Sequence, residues 1–115
     1  MQRQIVTIGS AVAWMVLIFV LSAQSGDVRH TDSEIVLRKL AHIGEYLVLT
    51  LLLARALPRH AISFVALVAV VYATTDEWHQ RFVPGREGTP RDVLIDLVGI
   101  TLAALGWQRL RSRDA

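Results

Sequence analysis

The chain has 115 residues, of which 53% are hydrophobic and 19% charged, with 12 Lys+Arg against 10 Asp+Glu. That length holds one domain, and the charge content is below the roughly 25% usual for soluble domains. The absence of cysteine excludes disulfides, thiolate metal sites and cysteine nucleophiles, and a net charge of +2 with no basic run speaks against a nucleic-acid partner.

Long uncharged stretches alternate with short polar ones, the pattern of a membrane chain. The first stretch, about 5–23, carries no charge and as a helix rises roughly 28 Å, close to the hydrocarbon thickness of a bilayer. A signal peptide is the competing reading. The run exceeds a usual apolar signal core, and Leu21-Ser22-Ala23 is a poor cleavage site. Segment 24–38 is polar and reads as a loop, with Asp32 or Ser33 placed to cap a short helix. The second span, about 39–57, contains His42, Glu45 and Arg55. Pro58 makes the next link tight, so spans two and three form an antiparallel hairpin.

The third span, about 61–80, ends in Asp76-Glu77-Trp78-His79-Gln80. Pro84-Gly85 and Gly88-Thr89-Pro90 mark a turn-rich loop. The fourth span, about 91–108, has Thr89 as a candidate cap, Pro90 at the first helical position and Asp96 inside it. The expected fold is all-α, an integral membrane four-helix up-down bundle in a single domain. Orientation is tied on a raw count of basic residues. Arg3, Arg55, Arg59, Arg109, Arg111 and Arg113 lie on one side, and Arg29, Arg38, Lys39, Arg81, Arg86 and Arg91 on the other. The first set has almost no acids beside it, which places both termini in the cytoplasm of a multi-pass plasma-membrane protein.

Up-down topology brings the end of span one, the start of span two, the end of span three and the start of span four to one membrane face. Ser22, Gln24, Ser25, His42, Glu45, Asp76, Glu77, His79, Asp92 and Asp96 all fall there. Helical spacing puts Lys39, His42 and Tyr46 on one stripe, Asp76, His79 and Gln80 on another, and Asp92 and Asp96 on a third. Charge in hydrocarbon needs a protein interior or water around it, so the grouping implies a polar pocket open to one side. Two structural alternatives stand beside it: acids facing headgroups, or a network of acids satisfied by Lys39, Arg81, Arg86 and Arg91.

Ser22-Ala-Gln-Ser-Gly26, Lys39-Leu-Ala-His-Ile-Gly-Glu-Tyr46, the stretch from Asp76-Glu-Trp-His-Gln through Pro84-Gly-Arg86 to Asp92, and then Asp96 and Gly99 resemble the VanZ-like family. The resemblance covers most of the chain in order. It implies a small four-span membrane protein of the class named for a glycopeptide-resistance determinant and linked to lowered teicoplanin susceptibility.

Three kinds of activity fit the pocket. The first is an enzyme acting on a lipid-linked or amphiphilic envelope substrate. His42, Glu45, Asp76, Glu77, His79, Asp92 and Asp96 are its candidate acid–base residues, and Lys39, Tyr46, Gln80 and Arg86 its candidate substrate contacts. A divalent metal ion is a candidate cofactor, with His42, Glu45, Asp76, His79 and Asp92 as ligands, although no spacing matches His-Glu-x-x-His. The second is a non-enzymatic protein that binds or shields such a ligand, with Trp78 and Phe82 against the amphiphile or in an interfacial aromatic belt. The third, a small transporter, fits less well, because the ionisable groups sit at one end. Arg55, at the other end, is placed to snorkel.

Overall fold

The computed structural model describes residues 2–23, 32–82 and 90–113. They form four helices: α1 (Gln2–Ala23), α2 (Asp32–Ala56), α3 (Ile62–Gln80) and α4 (Pro90–Arg113). Pro90 opens α4, as its fixed φ favours; Thr89, its expected cap, lies outside the described residues. The short helix expected from Asp32 or Ser33 is present, but residues 32–38 run on unbroken as the first two turns of α2 instead of forming loop. No Gly or Pro interrupts them, and Leu37, Arg38, Lys39 and Leu40 are good helix formers, so polarity did not stop the helix. The tight link at Pro58 forms as expected. The Leu57 N–H closes α2 on Leu53 O at 2.9 Å, and Ala61 O accepts from Phe64 and Val65 at the start of α3.

Contacts fix the helix directions. His42 meets Asp96, and Ile43 and Leu47 meet Gly99, so α2 and α4 run parallel. Tyr72 donates to the Met15 carbonyl and His79 stacks on Phe19, so α1 and α3 run parallel. The Tyr46–Asp76 contact across the hairpin makes α2 and α3 antiparallel. The bundle is a rhombus rather than a square. Helix α2 touches all three others and lies most extensively against α4, while α1 and α4 stay apart. Gly99 permits this, because its Cα faces the Ile43 carbonyl of α2 with no room for a side chain.

The core is narrow and built from small residues: Ala11, Ala54, Ala69, Ala73 and Ala103 are buried beside Ile18, Leu49, Val65 and Ile100. Small side chains let helices approach closely where apolar surroundings supply no hydrophobic drive. The large apolar side chains point outward instead. Ile5, Val12, Val16 and Val20 on α1, Leu67 and Val71 on α3, and Leu94, Val98, Leu102 and Leu105 on α4 are exposed. Exposed hydroxyls turn back onto their own helices: Ser10 donates to Val6 O at 2.7 Å, and Thr74 and Thr75 to Val70 and Val71 O at 2.9 Å. That is how Ser and Thr are satisfied without water.

Two helices have segments long and apolar enough to cross a membrane, Gln2–Leu21 in α1 and Val93–Arg111 in α4. Helices α2 and α3 are long enough but not apolar enough. Lys39, His42, Glu45 and Arg55 dilute α2, and the Asp76–Gln80 end dilutes α3.

Candidate functional site

The apolar stripes of three helices continue into polar residues at the same end of the bundle. On α2 the inward stripe runs Leu53, Leu49, Tyr46, then half-buried His42. On α3, Val65, Ala69 and Ala73 lead into Asp76, Glu77 and Gln80, all buried. On α4, Ala103, Ile100 and Gly99 lead to Asp96, which is 1% exposed. Burial of these acids therefore follows from helical phase: each occupies the next inward position of a packed stripe.

Two hydrogen-bonded groups form around α2. His42 Nδ1 lies 3.2 Å from Asp96 Oδ1, with the imidazole 23% exposed and the carboxylate 2%. One helical turn further in, the Tyr46 hydroxyl donates to Asp76 Oδ2 at 3.2 Å, and Gln80 Nε2 donates to the same oxygen at 3.4 Å. Glu45 and Asp76 also lie within electrostatic reach of His42. With Nδ1 held by Asp96, Nε2 is the ring nitrogen left for a ligand or a proton. A carboxylate orienting a partly exposed histidine is an arrangement suited to general acid–base chemistry.

The sequence candidates divide by position. His42, Tyr46, Asp76, Gln80 and Asp96 come together, with Glu45 half-buried and Glu77 buried nearby. His79 turns toward α1 and stacks on Phe19, centroids 4.1 Å apart, instead of joining Asp76 and Gln80. Its Nδ1 is buried with no hydrogen-bond partner among the described residues. Lys39 is exposed at the outer turn of α2. Arg86 and the Asp92 side chain lie outside what is described. Among the described residues no three His, Asp or Glu side chains are grouped to hold a metal ion.

Several supporting residues were not anticipated. Trp14 Nε1 donates to the Glu45 carbonyl at 2.9 Å, tying α1 to α2 below the pocket. Tyr72 bonds to Met15 O and packs tilted against Tyr46, centroids 6.2 Å apart. Thr50, fully buried, donates to Tyr46 O at 2.8 Å. In sequence these are aromatics and a hydroxyl inside apolar runs. Only the spacing of Tyr72, four residues before Asp76, marked it for the same face. Beside the acids, a groove of about 440 Å³ opens between α3 and α4, lined by Thr74, Glu77, Trp78, Arg81, Val93 and Leu94.

The VanZ/LLP1 family model matches residues 7–111, nearly the whole chain. The chain belongs to this family. No curated protein and no solved structure matches it. In this VanZ-like chain the residues that carried the resemblance include His42, Tyr46, Asp76, Gln80 and Asp96, the five side chains of the two hydrogen-bonded groups, together with Gly99 at the closest helix contact. Family membership and two apolar helices together suggest a membrane protein.

Proposed function

We propose that all four helices cross the plasma membrane with both termini in the cytoplasm. The polar pocket then opens at the outer face and takes the polar head of a lipid-linked or amphiphilic envelope ligand. The observation that carries this is the inverted distribution of side chains: Asp76, Glu77, Gln80 and Asp96 are buried at one end of a bundle whose large apolar residues face outward. Sealing acids inside and presenting Val and Leu outside is unfavourable in water and favourable in lipid. The groove between α3 and α4 suits the occupant, with Trp78, Val93 and Leu94 for an apolar tail and Arg81 at its edge for an anionic head.

Within this pocket His42 acts as the acid–base residue and Asp96 holds and stabilises its imidazolium. His42 accepts a proton from a water or a ligand hydroxyl and returns it to the leaving group, the pattern of a hydrolysis or transfer reaction. A metal-assisted variant would need Asp92 together with His42, Glu45, Asp76 and His79, but among the described residues no three such side chains are grouped and His79 turns to Phe19, so the metal-free form fits the geometry better. A second reading, binding or shielding without turnover, is favoured by the depth of the other group. Tyr46, Asp76 and Gln80 are buried and hydrogen-bonded to one another, as a structural brace would be. Lowered teicoplanin susceptibility is the cellular effect that the family resemblance implies for either mode.

The test uses the full chain in phosphatidylcholine nanodiscs with a polyprenyl phosphate and a polyprenyl diphosphate sugar as probes, followed by extraction and product analysis. Conversion by the wild type that is lost in His42→Gln with binding retained establishes the enzyme. Binding without conversion establishes the shield. No binding of either probe rejects a lipid-linked ligand.

A further inference from the structure

The opposite end of the bundle carries a second groove, of about 520 Å³, between the start of α1 and the end of α2. Gln2, Arg3, Val6, Thr7 and Arg55 line it. Two arginines from different helices therefore line one space. Neither has an ion-pair or hydrogen-bond partner among the described residues. Among the described residues no acid lies at this end. Helix α1 contains no acid. The last acid of α2 is Glu45, ten residues or roughly 15 Å of helix before Arg55. Helix α3 has no acid in its first turn. Beyond Asp96 the only acid is Asp114, outside the described residues.

We infer that this groove binds the phosphate head of an anionic phospholipid. Two arginines lining one groove can meet a phosphate's paired oxygens, and like charges sharing a groove are stabilised by an anion between them. The groove is not purely polar. Val6 lines it and, like Ile5 beside it, is about two-thirds exposed, at 64% and 65%. An apolar strip running from the cationic site down α1 selects an amphiphile over a soluble anion. Arg55 then does more than reach for the interface: with Arg3 it anchors α1 to α2 through a shared lipid. On the proposed orientation this end meets the cytoplasmic leaflet, where anionic lipids concentrate. The inference rests on membrane insertion, but not on any ligand or reaction at the polar pocket.

The test is lipid retention by native mass spectrometry after reconstitution in phosphatidylcholine vesicles with and without phosphatidylglycerol. Wild type, Arg3→Gln, Arg55→Gln, the double variant and Arg59→Gln are compared, Arg59 being an exposed arginine on the α2–α3 link outside the groove. The expected result is selective retention of phosphatidylglycerol, weakened about fivefold by each groove substitution and little changed by Arg59→Gln. Equal weakening by Arg59→Gln would overturn the site in favour of diffuse charge attraction, and full retention by the double variant would overturn it outright. Displacement of the lipid by equimolar glycerol phosphate would overturn the choice of a lipid. If no variant floats with neutral vesicles, membrane insertion fails and the site fails with it.

Discussion

Gly99→Ala tests whether the α2–α4 contact sets the geometry of the site. A Cβ at position 99 would lie 2.2 Å from the Ile43 carbonyl oxygen, 3.0 Å from its carbon and 3.1 Å from Leu47 N, all backbone atoms. Ordinary contact begins near 3.4 Å, so α4 must retreat by 3.4 − 2.2, about 1.2 Å. No rotamer change relieves a clash with backbone, which puts the cost at the upper end of overpacking, about 3 kcal/mol. Asp96 lies one turn from Gly99, and its 3.2 Å contact with His42 would open beyond hydrogen-bond range if α4 moves as a unit. Gly44→Ala is the matched control. It sits on the exposed side of α2 with nothing within 4 Å of a new Cβ, so it gains only the helix preference of alanine, about 0.5–1 kcal/mol. Unfolding of the detergent-solubilised protein in a denaturing detergent series measures both. Loss for Gly99→Ala with no loss for Gly44→Ala is expected. Equal stability of Gly99→Ala and wild type would refute the close contact.

Asp96→Ala removes the partner of a partly exposed His42 and costs about 1 kcal/mol in the same unfolding series, with Asp96→Asn restoring most of it if the amide oxygen accepts from Nδ1. Tyr46→Phe keeps the volume of a fully buried ring but deletes a donor to Asp76, and is expected to cost about 1.5–3 kcal/mol; no change would show that Asp76 does not depend on that hydroxyl. If the pocket is catalytic, His42→Gln lowers turnover of a polyprenyl diphosphate substrate about 100-fold or more while leaving its binding in place; parallel loss of both would point to a ligand contact instead. Metal analysis of purified wild type, His79→Ala and Asp76→Ala decides the metal variant: stoichiometric ion in wild type alone supports it, and no ion with no response to chelator rejects it.

The helices were legible because their signals are local. An uncharged run sufficient for α1, Pro58 after α2 and Pro90 before α4 each act within a turn of their own position. The convergence of polar residues was legible too, since up-down topology alone sends His42, Asp76 and Asp96 to one end. Their pairing was not. Asp76, His79 and Gln80 share a face by spacing, yet Asp76 and Gln80 turn inward to Tyr46 while His79 stacks on Phe19. That division depends on where α1 lies, which no spacing within α3 encodes. The start of α2 was legible in part: Asp32 and Ser33 marked a short helix, but the polarity of 24–38 hid its continuity with span two, which backbone propensity, without Gly or Pro, favours. The rhombic packing depends on Gly99, whose importance appears only once the Ile43 carbonyl is opposite it.

The absence of cysteine makes single-cysteine accessibility the most direct test of an outward pocket in a four-span bundle. Ser25→Cys, Arg59→Cys, Gly85→Cys and Asp114→Cys would each be exposed to a membrane-impermeant maleimide in intact cells, then after permeabilisation. An outward pocket requires labelling of positions 25 and 85 from outside, and of 59 and 114 only once the membrane is opened. Labelling of position 59 together with 25 and 85 in intact cells would show that α2 and α3 do not cross, and would contradict an outward pocket in a four-span bundle.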